Sequence, residues 1–191
     1  MPLDRSVMHL DPRAPLVVDT RALGRSPGAM RRESRTVPAP ASLGLDMIGV
    51  PEGADVELDI RLEAVMEGVL VSGLARAPLT GECARCLEPF VDSIEVEFQE
   101  LYAYPDQEPE EDAYLMEGDL LDLEPAFRDA LVLALPVHPL CREDCPGLCS
   151  ECGARLADVG PDHSHPTADP RWAALRGLLD SRTDNDESEE T

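Results

Sequence analysis

The sequence predicts an α+β protein: an antiparallel β-meander packed by one or two helices, with a small cysteine- and histidine-rich module at its C-terminal end. Three observations predict it. Apolar and polar residues alternate with a period of two through Val56–Leu79 and again through Val91–Tyr104, the pattern of half-buried strands. Glu124–Ala134 carries helical spacing instead. All six cysteines fall into two short clusters.

In chain order, Pro15–Thr20 reads as a short strand. Gly24, Pro27 and Gly28 accompany Arg25, Arg31, Arg32 and Arg35, a basic turn entering a polar, edge-lying segment that ends at Pro38 and Pro40. Val56, Leu58, Ile60, Leu62 and Ala64 then share one face of a strand, with Glu57, Asp59, Arg61 and Glu63 on the other. Glu67-Gly68 turns the chain, and Val69, Val71, Gly73, Ala75 and Ala77 resume the alternation to Leu79, an antiparallel hairpin. After the turn holding Cys83 and Cys86, a third strand alternates Ile94, Val96 and Phe98 with Glu95, Glu97 and Gln99. Pro105–Asp112 is an acidic loop expected to be mobile, and Asp119–Leu123 adds a short strand. A helix opens at Glu124-Pro125, where proline's missing N–H costs nothing; Phe127, Ala130, Leu131 and Ala134 form its core stripe before Pro136 stops it. Asp169-Pro170 opens a last helix with Trp172, Leu175, Leu178 and Leu179 on its apolar face.

Composition narrows the function. The net charge is −23, and all sixteen basic residues are arginine. Residues 1–35 hold seven arginines against four acids, whereas residues 36–191 hold nine against thirty-five. Most of the surface therefore repels naked nucleic acid; the acidity either serves simple solubility or suits a basic partner such as a ribosomal protein. No apolar run approaches the roughly 20 residues that cross a bilayer, and Met1–Leu10 lacks a secretory core, so a cytoplasmic protein is expected. In that compartment clustered cysteines are metal ligands or redox groups more often than disulfides.

Cys141-x3-Cys145-x3-Cys149-x2-Cys152 is followed by His163-x-His165, and Cys83-x2-Cys86 lies upstream. Thiolates and imidazoles at such intervals suit a tetrahedral zinc ion. Cys149-Ser-Glu-Cys152-Gly153 has the form of a zinc knuckle, its glycine permitting the positive-φ turn that aims N–H groups at sulfur. With His163 and His165 it makes a site without net charge. Cys141 and Cys145 then need two further ligands, which Cys83 and Cys86 can supply. The rival arrangement is a single all-thiolate site of Cys141, Cys145, Cys149 and Cys152. A redox dithiol or an iron–sulfur cluster is the other chemistry open to these residues, although Pro89 and a strand follow Cys86 where a thioredoxin-like motif starts a helix. The chain carries no phosphate-cradling glycine loop and no nucleophile elbow, and its carboxylates lie on the polar faces of strands, so no enzyme is expected. The expected organisation is a β-rich domain with its core helix over residues 1–140, a zinc-bound module with the last helix over 141–181, and a disordered acidic tail over 182–191.

Gly81–Phe90 (GECARCLEPF), Asp122–Pro136 (DLEPAFRDALVLALP), Cys141–Gly153 (CREDCPGLCSECG) and Asp169–Leu175 (DPRWAAL) together resemble the YceD family of large ribosomal RNA subunit accumulation proteins, a likeness running from about Pro15 to Leu179. Many of its members close the second cluster with Cys-x-Cys where this chain has His163-x-His165. The resemblance implies a non-enzymatic role in accumulating large-subunit ribosomal RNA, with one or two structural Zn2+ ions. Its implied partner is the large-subunit precursor or its RNA, with neither membrane nor small-molecule substrate. On that footing Arg31, Arg32 and Arg35 are candidates for touching RNA phosphates, the alternative being that they pair with the acidic sheet edge. Two other functions are a thiol-based redox sensor or enzyme and an acidic scaffold for a basic partner.

Overall fold

Strand alternation builds the main sheet. The computed structural model describes residues 9–107 and 113–165. Its strands are β1 (Val17–Asp19), β2 (Met30–Pro38), β3 (Leu43–Leu45), β4 (Ile48–Val50), β5 (Asp55–Ala64), β6 (Gly68–Glu82), β7 (Pro89–Ala103), β8 (Tyr114–Leu115) and β9 (Leu120–Asp122). Its helices are α1 (Glu124–Ala134) and the single turn α2 (Leu156–Val159). The architecture is mostly antiparallel β with few helices, as expected. Two compact units divide between Cys145 and Pro146, and every strand and α1 belong to the first.

The meander is β5–β6–β7. β5 and β6 pair from Glu57↔Arg76 to Ala64↔Val69, and β6 pairs with β7 without a break from Gly68↔Ala103 to Glu82↔Pro89. β2 runs antiparallel to β5 at the sheet edge, where the basic, proline-terminated segment is expected. Val56, Leu58, Ile60, Leu62 and Ala64 are buried with Val69, Val71, Ala75, Val96 and Phe98, so the alternating apolar set forms one core face. A one-residue slip in register would turn that set to solvent, which fixes the pairing.

The β3–β4 hairpin joins β6 at Ile48↔Gly81 and Gly49↔Thr80. Strands of three residues are too short for periodicity to reveal. Gly44 and Gly49 oppose each other in it, and a Cβ on Gly44 would lie 2.4 Å from the Gly49 Cα, so the close approach needs glycine.

β1 pairs with β9 in a separate two-stranded sheet, Val17↔Asp122 to Asp19↔Leu120. α1 closes the core with Leu123, Phe127, Leu131 and Leu135, all at most 5% exposed. The stripe expected to end at Ala134 therefore ends one residue later, and Ala134 is exposed. The reason is local: Leu135 leaves the helix in an extended conformation (ψ 138°) while its N–H still bonds the Leu131 carbonyl at 3.1 Å, turning its side chain inward. The expected last helix, the acidic tail and positions 108–112 of the acidic loop lie outside the described residues. Among those described, no helix is long and apolar enough to cross a membrane.

Candidate metal centres

Cys83 and Cys86 occupy the tight turn between β6 and β7. The Cys83 N–H donates to the Glu88 carbonyl (2.9 Å) and the Leu87 N–H to the Cys83 carbonyl (2.9 Å). The Cys149–Cys152 turn repeats this ring: Cys149 N–H donates to the Ala154 carbonyl (2.7 Å) and Gly153 N–H to the Cys149 carbonyl (2.8 Å). The residue after the second cysteine is left-handed in both, Leu87 at φ 59° and Gly153 at φ 71°. The two Cys-x2-Cys segments are thus copies of one knuckle.

That turn aims backbone dipoles at its first sulfur. Burial pushes the Cys83 thiol up, but the N–H groups of Cys141, Cys86 and Arg85 outweigh it and bring it down to about 6. The N–H groups of Cys152 and Glu151, then His163, bring Cys149 to about 6 as well. In each knuckle the two N–H groups lie two and three residues past the sulfur they serve. Hydrogen bonds to a thiolate favour its charged form, the form that ligates metal.

In the first unit, the Ala84 N–H bonds the Pro139 carbonyl (2.8 Å), bringing the Cys141–Cys145 segment to the knuckle. Cys83 Sγ lies 3.7 Å from Cys145 Sγ, and Cys86 Sγ 3.8 Å from Cys141 Sγ. The four sulfurs all lie within 4.8 Å of one another. Cys83, Cys86 and Cys145 are buried against Phe90 and Leu140, while Cys141 is exposed. Arg85 donates to the carbonyls of Cys145 (3.0 Å) and Glu143 (3.4 Å), placing a cation beside the cluster. Desolvation and the neighbouring sulfurs push the Cys141 thiol up to about 12 and raise Cys86 too. Four sulfurs this close cannot all ionise unless a cation joins them.

In the second unit, Cys152 Sγ lies 3.4 Å from His163 Nε2, which is 2.9 Å from His165 Nε2. These donors and Cys149 Sγ again lie within 4.8 Å of one another. The Leu156 N–H bonds the Gly147 carbonyl (3.0 Å), folding the start of α2 back on the knuckle.

Both donor sets fit zinc. Bonds of about 2.3 Å to sulfur and 2.0 Å to nitrogen give tetrahedral edges of about 3.8 Å between sulfurs and 3.5 Å between sulfur and nitrogen. The sulfur separations of 3.7 and 3.8 Å are also far beyond the about 2.05 Å of a disulfide. The rival grouping of Cys141, Cys145, Cys149 and Cys152 would draw two cysteines from each unit. Sequence reasoning overlooked the roles of Leu87 and Arg85; its signal for a knuckle was a glycine after the cysteine pair, and Leu87 stands in that place.

The arginines of β2 divide by face. Arg31 pairs with Glu33 (2.9 Å) and donates to the Asp19 carbonyl (3.2 Å). Arg35 also pairs with Glu33 and donates to the carbonyls of Pro15 and Val17, both at 3.2 Å. Arg32 is exposed on the opposite face, with no hydrogen bond or ion pair among the described residues.

The first unit is thus an antiparallel β-protein whose turn and following segment gather a four-cysteine set that could hold a metal, and the second unit carries a set of two cysteines and two histidines that could hold another. Residues 71–179 match the family described as "Large ribosomal RNA subunit accumulation protein YceD", and the chain belongs to that family. An uncharacterized protein of Mycobacterium tuberculosis is 46% identical over 176 residues, covering 90% of this chain and 84% of its own. Another, from Mycobacterium leprae, is 42% identical over 188 residues, covering 92% and 86%. The uncharacterized Bacillus subtilis protein YlbN is 26% identical over 124 residues, covering 63% and 70%. No solved structure matches the chain at a significant level.

Proposed function

We propose that this chain is a non-enzymatic, cytoplasmic ribosome-assembly factor that supports accumulation of large-subunit ribosomal RNA and is braced by two structural zinc ions. The ribosomal role is supported by family membership. The zinc reading rests on the convergence of eight soft donors into two tetrads. Cys83, Cys86, Cys141 and Cys145 hold one ion; Cys149, Cys152, His163 and His165 hold the other. Zinc supplies positive charge and a cross-link. The knuckle N–H groups and Arg85 then balance the charge of the thiolates, which suits a brace rather than a reaction centre. The first site ties the β6–β7 turn to the segment after α1, and the second closes the C-terminal module. Of the arginines expected to touch RNA, Arg32 is the one whose guanidinium has no partner among the described residues, so in this reading it meets a phosphate while Arg31 and Arg35 hold β1.

The test has two arms. Protein purified without chelator is expected to carry two zinc ions per chain. Replacing Cys149 and Cys152 together by serine should leave one ion and an intact sheet. A metal-free protein that is folded with its thiols paired to one another would defeat the zinc reading and favour redox chemistry. In cell extracts the chain is expected to sediment with large-subunit precursors, and Arg32→Ala to lower the salt dependence of RNA association by roughly one phosphate contact. Absence from precursor particles would defeat the ribosomal reading whatever the metal content.

A further inference from the structure

We infer that the edge of β7 left unpaired among the described residues is a docking site for an extended, basic segment of a partner protein, added to the sheet as a further strand. This names a surface for the basic partner that the chain's acidity suits, and it goes beyond the proposed ribosomal role. It is tested apart from any ribosome, so each can fail alone.

β7 is bonded along its whole length to β6 on one side. On its other side β8 pairs only at Tyr102 and Ala103, so Phe90–Leu101 present an unpaired edge among the described residues. At the rise of an extended chain that edge is roughly 40 Å long. A row of free N–H and C=O groups is a template for another strand, and proteins blunt such edges with bulges, prolines or charged side chains. No bulge or internal proline interrupts β7: its register has no skip, proline stands only at its first position, and its charges are all of one sign, with no basic residue.

It carries instead four acids, Asp92, Glu95, Glu97 and Glu100. The opposite sheet edge, β2, bears three arginines and one acid, so the two edges differ in sign. Acids deter a second acidic edge but attract a basic one. Glu95 is bonded to Arg76 at 2.6 Å, whereas Glu97 has no ion-pair partner among the described residues. Along this edge Glu95, Glu97 and Gln99 point to solvent while Ile94, Val96 and Phe98 face the core side. A strand laid beside them therefore needs alternating character, basic residues opposite the acids and apolar residues extending the core. Main-chain bonds would supply affinity and this alternation specificity.

The full chain, isotopically labelled, is titrated with a short peptide of alternating arginine and valine. Amide shifts and new exchange protection are expected along Phe90–Leu101, with affinity falling as salt rises. Replacing both Glu97 and Gln99 by lysine should weaken binding roughly tenfold or more through like-charge repulsion. N-methylating the peptide backbone, which keeps its charges but removes its donors, should abolish binding. Three results would overturn the inference. They are equal binding of the N-methylated peptide, shifts confined to another surface, and a free protein that already self-associates with Phe90–Leu101 protected, which would make β2 of a second copy the occupant.

Discussion

Leu87 and Gly153 hold the same backbone position in the two knuckles, at φ 59° and 71°, yet only one is glycine. A left-handed conformation costs a side-chain-bearing residue roughly 1–2 kcal/mol, and Leu87 recovers little of that, being 56% exposed. Leu87→Gly is therefore expected to raise stability by about 1 kcal/mol, and Gly153→Ala to lower the stability of the second unit by a similar amount. Denaturant midpoints of the zinc-loaded protein check both. A loss on Leu87→Gly would show that the side chain contributes packing the exposure does not reveal. At this scale the cysteines were legible because soft donors in pairs have few other uses. The leucine was not, since nothing local marks it as left-handed.

Strand β1 shows how an element can depend on side chains. Its ladder with β9 uses one edge; on the other, the carbonyls of Pro15, Val17 and Asp19 accept from Arg31 and Arg35. These arginines sit on alternate positions of β2 with Glu33 between them, so one carboxylate holds both guanidiniums toward β1. Arg35→Ala is expected to cost about 1–3 kcal/mol, since it removes the donor to two carbonyls and one of Glu33's two partners, whereas Arg32→Ala should stay within about 0.5 kcal/mol. Thermal unfolding of the two variants distinguishes them, and equal losses would refute a bracing role specific to Arg35. The long strands β5, β6 and β7 were readable because ten or more alternating residues leave no other period. β3, β4 and β8 carry no period in two or three residues; β1 and β9, equally short, were read from their apolar runs rather than from a period.

Across the whole molecule, acidity governs what the surface can meet and buried phenols govern its alkaline limit. Tyr102, 1% exposed, stacks on Tyr114 with ring centroids 5.3 Å apart. Its hydroxyl donates to the Asp122 carbonyl (2.9 Å), and that of Tyr114 to the Asp129 carboxylate (2.9 Å). Burial, then Tyr114 and the acids Asp122 and Glu100, hold the Tyr102 phenol far above the ordinary value; burial and Asp129 push Tyr114 up to about 12. Above pH of about 10 the unfolded chain releases these protons while the folded chain keeps them. Their contribution is thus complete below that pH and lost as pH rises through the folded values. Denaturant midpoints followed through this range should fall, and more gently in Tyr102→Phe. An equally steep fall in that variant would remove Tyr102 from the account.

The order of residues was enough to establish a meander with one buried face, a basic edge strand, a core helix and two clusters of soft donors. Each depends on spacing along the chain, and spacing is local. Which cysteines lie together, which arginines are spent on β1, and which sheet edge is unpaired among the described residues depend on residues far apart in sequence. Cys83 and Cys145 lie 3.7 Å apart across 62 positions, and Arg35 reaches Pro15 across 20. Such distances are settled only when the core closes and excludes water, because then nearly every buried donor and carbonyl must find a partner.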